Sequence, residues 1–519
     1  MIKSRKLLLL IIPLFYVGST CLAFDFFQPV DPPRPFQVMV HRGMKGQAPE
    51  NTRPAIRMLI EDHLDWAEVD VRLTKDGRHV IFHNNSLDGK TDGSGPVSES
   101  TLAEIEKLDA GSWFAKRYSG ERILTLEDCL KLCKRKLNLY LDCKRIKPDL
   151  LVKEILDSGM EKQVVVYDDL ETLREIRRLS KGRIAVMPKW RPEDGLTDWI
   201  DKVRPDMVEI DADVINTEIC KAFHQRSIPV ELKVLGEWDR PEFWDKGLAA
   251  GVDSFQTDLP AELIAHELWK RIPSRPVGFS LHRGGLRYAP ENTIPAFEKA
   301  IRLGADYIEE DVRPSSDGVY FLLHDSRLDR TTNGSGAIYD VSADVVRGLD
   351  AGSWFGKPFI GVRVPTFEEF LKRVDHRVKL YCDAKSIPAA DLADYLRKYG
   401  LVDESVVYQG VGFLIKLKKI EPDIRPLAPL YDASDIDSIH EDLGPYAFDT
   451  SWKILSKELI EHCHSLGIKV FSDAMGDHDT VEDHLQAMKW GIDVIQTDRP
   501  LIFLRALDLF VRAGGTRKK

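Results

Sequence analysis

Cysteine is scarce in this chain: seven residues in 519, sparse and not repeated between its halves. That pattern argues against a disulfide framework, even in an oxidising compartment. Cys129 and Cys133 lie four apart on an expected helix. No His or Cys pair follows at finger spacing, so packing explains them better than zinc does. An excess of positive charge is also missing. The formal net charge is −10, which disfavours binding to nucleic acid, since that needs a basic surface. No glycine-rich loop follows the first expected strand, which weakens a dinucleotide-binding sheet. What remains is ordinary globular composition, long enough for two to four domains, each able to bury a core.

The first residues differ in kind. Lys3, Arg5 and Lys6 precede an apolar run, Leu7–Val17, and small residues lead to Ala23. The run is shorter than the ~20 residues a membrane span needs. These three parts make up a secretory leader over residues 1–23, cleaved after Ala23. An uncleaved anchor helix and a lipidated Cys21 are the competing readings. The expectation is a secreted or periplasmic protein with no stable membrane span after cleavage.

The chain repeats itself. His41-Arg42-Gly43 recurs 241 residues later as His282-Arg283-Gly284. At the same offset Glu68-Val69-Asp70 returns as Glu309-Glu310-Asp311, and Asp142-Cys143-Lys144 as Asp383-Ala384-Lys385. The segment Leu108–Phe114 (LDAGSWF) returns unchanged at Leu349–Phe355. Gln256-Thr257-Asp258 matches Gln496-Thr497-Asp498 at an offset of 240. Two equal units therefore run in tandem, each the length of one barrel rather than a solenoid module. The expected units are 24–272 and 273–519, joined by an exposed linker near Lys270–Pro276.

In the first unit, strands are expected at Gln37–Val40, Ala67–Leu73, Leu137–Lys144, Val164–Tyr167, Ile184–Met187, Met207–Ile210, Val230–Val234 and Ser254–Thr257. Amphipathic segments such as Pro54–Leu64, Leu126–Leu132 and Leu170–Leu179 lie between them. Eight strands alternating with helices read as α/β, and the count fits a (β/α)8 barrel. One connection is too short for a helix: Lys75-Asp76-Gly77 reads as a hairpin turn. Folding about Asp76–Gly77 brings His83 opposite Asp70, and the Ser316-Asp317-Gly318 tip brings His324 opposite Asp311.

Glu68 and Asp70, two apart on a strand, share a face, as do Asp142 and Lys144. Barrel active sites lie at the C-terminal strand ends. That mouth gathers His41, Arg42, Glu68, Asp70, His83, Asp142 and Lys144. In the second unit it gathers His282, Arg283, Glu309, Asp311, His324, Asp383 and Lys385. Three converging carboxylates repel unless a cation joins them, and hard oxygen donors select Ca²⁺ or Mg²⁺ over Zn²⁺. Arg42 and Lys144 suit phosphate oxygens, and two histidines can act as general acid and base. Together they fit cleavage of a small-molecule phosphodiester. Taken singly, a Glu-x-Asp is usually a solvated strand face, a His a hydrogen-bonded core residue and an Asp-x-Lys a surface pair. The weight comes from polar residues matching between the units where apolar ones vary. Glu50 and Asn51 are read as supports for the first His, or else as caps of the next helix. Trp113 and Trp354 are read as pocket walls or as packing.

These motifs resemble the glycerophosphodiester phosphodiesterase family: His-Arg-Gly, Glu-Asn-Thr, Glu-x-Asp, the Asp-Gly turn leading to His, Leu-Asp-x-Gly-x-Trp-Phe and Thr-Asp-x-Pro. The resemblance covers most of both units. It implies two tandem (β/α)8 barrels of the phospholipase-C-like phosphodiesterase type, a divalent metal, and hydrolysis of glycerophosphodiesters to glycerol phosphate and an alcohol. It implies His41 and His83 as the acid/base pair, with His282 and His324 in the second unit. Metal ligands would be Glu68, Asp70 and Asp142, and Glu309, Asp311 and Asp383. Phosphate contacts would be Arg42, Lys144, Arg283 and Lys385. Three features depart from the family pattern. The third ligand is Asp rather than Glu, His83 is followed by Asn84 where the second unit keeps His324-Asp325, and the usual Trp-Thr-x-Asn is replaced by Val230–Lys233 and Val470–Asp473. Two other functions compete: a phospholipase-D-like enzyme acting on lipids, and a first barrel that only binds.

Overall fold

The computed structural model describes residues 23–516. The expected leader lies outside them except for Ala23, and so does Cys21. Each unit holds eight parallel strands. In the first these are Gln37–His41, Trp66–Leu73, Asn138–Cys143, Val164–Tyr167, Ala185–Val186, Val208–Asp211, Val230–Lys233 and Ser254–Thr257. In the second they are Gly278–Leu281, Tyr307–Pro314, Lys379–Asp383, Ser405–Tyr408, Arg425–Leu430, Ala447–Thr450, Lys469–Asp473 and Val494–Thr497.

The second unit closes into a barrel, with its first strand paired to both its second and its eighth. The first unit pairs in the same order from its sixth strand, through the eighth and first, round to its fifth. Between fifth and sixth a single parallel bridge, Lys189 to Glu209, takes the place of a ladder. There Glu209 N–H donates to Pro188 O, and Trp190 N–H to Glu209 O, both at 3.1 Å.

Side-chain alternation along a strand explains both cores. On the second strand Ala67, Val69 and Val71 face the helices and join the main apolar core. Trp66 faces inward with Met39, Tyr140 and Val165, and Glu68 and Asp70 share its parity. Phe24 and Phe26 pack on this inner cluster, the Phe26 ring lying 5.0 Å from Trp66. Helix Leu126–Cys133 buries Leu126, Cys129, Leu130 and Cys133, so both cysteines are core residues. The six cysteines among the described residues are free and buried.

The units are packed together. Helices Pro260–Arg271 and Pro500–Arg512 lie side by side. The LDAGSWF loop of the first unit meets the residues just after that of the second, where Lys357 N–H donates to Phe114 O at 2.7 Å. The join itself is tied down: Arg271 reaches Asp508 at 2.7 Å and Arg275 reaches Asp306 at 3.1 Å. Ile272 is buried there, while Pro273 and Ser274 are exposed. Asp62 of the first unit is fully buried against Arg287 of the second at 2.8 Å, with Tyr288 Oη at 3.3 Å. Burial pushes the Asp62 carboxyl up, and the Arg287 guanidinium opposes that shift.

Removing one partner of a buried ion pair strands the other charge, at a cost of about 3–5 kcal/mol. Arg287→Met is expected to lower unfolding stability by ~3 kcal/mol, the low end of that range, because Arg499 also lies 3.5 Å from Asp62. Urea denaturation of the full chain measures this; an unchanged midpoint would show that the contact contributes nothing.

Candidate active site

The first site is assembled where three strands end. His41 closes the first strand and pairs in register with Glu68 on the second, while Asp70 pairs with Asp142 on the third. Ligand oxygens of Glu68, Asp70 and Asp142 lie within 4.8 Å of one another, and those of Glu309, Asp311 and Asp383 do the same. Both sets of expected metal ligands are therefore brought together.

The backbone after the first strand is bent to serve this cluster. Arg42 and Arg283 have φ of 57° and 49°, a left-handed conformation that is uncommon for non-glycine residues and gathers at functional sites. It turns their N–H groups onto Glu68 at 2.8 Å and Glu309 at 2.6 Å. Gly43 follows at φ 73°, and a Cβ there would sit 3.0 Å from Ala55. Asn51 and Asn292 are also left-handed. Each side-chain amide donates to the aspartate, Asp70 or Asp311, at 2.7 Å. The asparagines thus position a carboxylate, not the first His as expected, and neither they nor the glutamates cap the next helix. Glu50 instead pairs with Arg42 at 3.3 Å and Lys90 at 2.9 Å; Glu291 pairs with Arg283 at 2.9 Å and Arg330 at 2.7 Å.

Lys144 lies 2.6 Å from Asp142 and 3.3 Å from Asp70. Lys385 pairs with Asp383, and lies 3.5 Å from Asp311. Arg42 Nε is 3.4 Å from Asp70. All four expected phosphate-contact cations therefore border the carboxylates.

The histidines are held from one side. His41 Nδ1 is 2.9 Å from Asp258, and His282 Nδ1 is 2.7 Å from Asp498. A carboxylate only accepts, so at His282 the Nδ1 hydrogen points to Asp498 and Nε2 faces away from it, whereas at His41 the Lys45 ammonium, a donor, competes with Asp258 for Nδ1. Asp258 and Asp498 sit in the repeated Gln-Thr-Asp segments, a signal available in the sequence but given no role there. Lys45 stands 2.9 Å from His41 Nδ1 and 2.8 Å from Asp258. Burial lowers the His41 pKa most, with Asp258 pulling it up and Lys45 pushing it down. His83 Nδ1 contacts Asn84 Oδ1 at 2.9 Å, and His324 Nδ1 contacts Asp325 at 2.7 Å. His83 lines a recess with Glu50, Asn51, Lys90 and Trp113, so Trp113 is a pocket wall.

The hairpin register is one residue off the expected one. Val71 pairs with Ile81, and Phe82 N–H donates to Asp70 O. Asp70 thus faces Phe82, with His83 one position beyond. Thr74 bonds Arg78 on both backbone and side chain, which centres the turn on Asp76 instead of between Asp76 and Gly77. The second hairpin has the same register, with Leu323 N–H on Asp311 O.

The residues present fit a hard divalent cation. Asp70 Oδ1 and Asp311 Oδ1 are buried without a hydrogen-bond partner. Burial, then the neighbouring aspartates, push Glu68 and Glu309 well above the usual carboxylate range. Asp383 is pushed up to about 6, first by burial. Buried carboxylates with open lone pairs and no thiol among them are an oxygen-donor set of the Ca²⁺/Mg²⁺ kind.

A sequence profile of the glycerophosphoryl diester phosphodiesterase family matches residues 41–261 and 282–407, which is more than half of the chain. The chain belongs to this family. A glycerophosphodiester phosphodiesterase of Caldanaerobacter subterraneus is 32% identical over 244 residues, covering 45% of this chain and 97% of the relative. One of Bacillus subtilis is 31% identical over 248 residues, covering 43% of this chain and 83% of the relative. A solved glycerophosphodiester phosphodiesterase from Agrobacterium tumefaciens is 31% identical, with 44% of this chain and 99% of that chain covered and a TM-score of 0.41. Membership makes the protein a phosphodiesterase, a hydrolase acting on small-molecule phosphodiesters.

Stability should report the metal site directly. Asp383 has a folded pKa raised from 3.8 to about 6. Its metal-free contribution is therefore complete below the unfolded value and lost as pH rises through about 6. A divalent cation competes with those protons, so its stabilisation grows with pH. Millimolar Ca²⁺ or Mg²⁺ is expected to raise the thermal midpoint of chelator-treated protein more at pH 8 than at pH 5, reaching ~2.7 kcal/mol at a hundredfold excess over Kd. An equal or absent shift at both pH values would contradict this assignment.

Proposed function

We propose that this enzyme hydrolyses glycerophosphodiesters to glycerol phosphate and an alcohol, using His acid/base catalysis and a Ca²⁺ or Mg²⁺ ion held by three carboxylates. One observation carries the reading: the same constellation is built twice, at equivalent strand ends. In it three convergent carboxylates lie beside one imidazole fixed by an aspartate, with a second on the returning hairpin.

Glu68, Asp70 and Asp142 would hold the cation, as would Glu309, Asp311 and Asp383. When bound, the ion offsets charge developing on the phosphoryl oxygens. Arg42 and Lys144 orient the phosphate, pre-positioned by Glu50 and Asp142. Asp258 holds the His41 ring by Nδ1, which leaves Nε2 available for proton transfer. Between them His41 and His83 remove the proton of the nucleophile and protonate the departing alkoxide; His282 and His324 do so in the second unit.

On this reading both units are barrels, divided at Ile272–Pro273. The enzyme acts outside the cytoplasm after loss of residues 1–23, a placement supported only by the cationic start and the apolar run.

Purified protein is expected to release glycerol phosphate from glycerophosphocholine in Ca²⁺ or Mg²⁺ and to stop in chelator. Loss of an acid/base group costs roughly 10²–10⁴-fold in rate. If both sites work, His83→Ala or His324→Ala alone leaves partial activity and the double variant loses it by that factor. Absence of turnover of any phosphodiester across a metal panel would defeat the proposal.

A further inference from the structure

The two mouths match on one side and differ on the other. On the hairpin side, Glu50 and Glu291 each grip a cation, Lys90 or Arg330. Trp113 and Trp354 are pinned alike, donating to Ala110 O and Ala351 O at 2.9 Å. Across the mouth, over the fifth to seventh strands, the chemistry changes.

Strand register aligns the two mouths residue by residue. Lys189 bridges Glu209 in the first unit, and Pro429 pairs with Asp449 at the same place in the second. Two residues on, Arg191 corresponds to Tyr431. At the ends of the seventh strands Lys233 corresponds to Asp473, and in the first loops Lys45 corresponds to Leu286. Four cations of the first mouth are thus replaced by proline, tyrosine, aspartate and leucine.

The first mouth holds its ammonium groups among acids. Lys189 lies 2.6 Å from Asp211 and 3.6 Å from Glu209, with Lys233 3.8 Å from Glu209. Among the described residues no lysine or arginine pairs with Asp449, the counterpart of Glu209, while Asp473 stands in the place of Lys233 within reach of the His282 and Lys385 charges. Asp449 takes one hydrogen bond, from Tyr381 at 3.1 Å, and its Oδ1 is buried without a partner. Asp473 accepts from Gln496 at 2.7 Å. Beside them Tyr431 brings its hydroxyl within 3.4 Å of that of Tyr408, while Tyr381 and Tyr408 themselves match Tyr140 and Tyr167 of the first mouth, with rings 6.0 Å and 5.7 Å apart. Tyr431 is 73% exposed, a large aromatic ring left facing solvent at a site's rim.

Resting on the hydrolase reading above, we infer that the two sites divide their substrates by the charge of the alcohol. The second, with Asp473 and Tyr431 in place of Lys233 and Arg191, takes an ammonium-bearing alcohol; the first, with Lys189, Arg191 and Lys233, disfavours one. The constant glycerol half of the substrate lies on the matching hairpin side, and the variable alcohol lies over the differing strands. Aromatic faces and carboxylates attract a quaternary or primary ammonium, and like charges repel it.

The test uses the full chain with one site silenced at a time. The His83→Ala variant reports the second site and His324→Ala the first, with thermal midpoints confirming that both fold. The readout is the ratio of kcat/KM for glycerophosphocholine to that for glycerophosphoglycerol, whose alcohol is neutral. The second site is expected to favour the choline substrate about tenfold, the scale of one ammonium–aromatic or ammonium–carboxylate contact. The first site is expected to show a ratio at or below one. Tyr431→Arg with Asp473→Lys, added to His83→Ala, should pull the second ratio down to that of the first. Equal ratios at the two sites would overturn the division while leaving hydrolysis intact. No turnover of either substrate at either site would instead overturn the hydrolase reading beneath it.

Discussion

Three carboxylates within 4.8 Å of one another on two adjacent strands, all buried but the partly exposed Asp142, repel strongly unless protonated or bridged by a cation. Much of the surrounding structure is arranged around that cost. A left-handed arginine turns its N–H onto the glutamate, an asparagine side chain brackets the aspartate, and a lysine lies against the third acid. These groups offset part of the repulsion and leave Asp70 Oδ1 and Asp311 Oδ1 without hydrogen bonds, the donor positions a hard cation takes. The same constraint explains why Gly43 and Gly284 follow the arginines. Helix residues Ala55 and Phe297 close the space where a side chain would go.

Duplication has kept this core while its surroundings diverged. The LDAGSWF loop persists because Asp109 collects the N–H groups of Gly111, Ser112 and Gly120. A Cβ on Gly111 would meet Tyr118 O at 1.9 Å, and one on Gly352 would meet Phe359 O at the same distance. The loops of the two units also touch each other, since the Arg117 guanidinium lies over Phe355 at 4.3 Å. The two sites are therefore built into one packed body, with Asp62 and Arg287 buried between the units. The cations of the far rim pair only with acids of their own mouth, and the second unit has no lysine or arginine at those positions.

Much of this was legible before folding, for definite reasons. Strands Val164–Tyr167 and Ser254–Thr257 stand at their expected limits, because short runs bounded by polar residues leave little choice. Carboxylate convergence followed from period-two alternation and the repeat. The hairpin register was missed by one residue because Thr74 side-chain bonding to Arg78 recentres the turn. Asp258 lies 217 residues from His41, and no local pattern joins them until the sheet brings the unit's eighth strand beside its first. The role of Asn51 depended on a positive φ that sequence does not display, and the Asp62–Arg287 contact on how the two units pack.

Each carboxylate triad is expected to hold one divalent ion. Calorimetric titration of chelator-treated protein with Ca²⁺ and Mg²⁺ counts those ions directly. Two ions per chain are expected, falling to one in Asp70→Asn or Asp311→Asn and to none in the double variant. Binding that survives the double change, or no binding to the unaltered protein, would contradict the central claim.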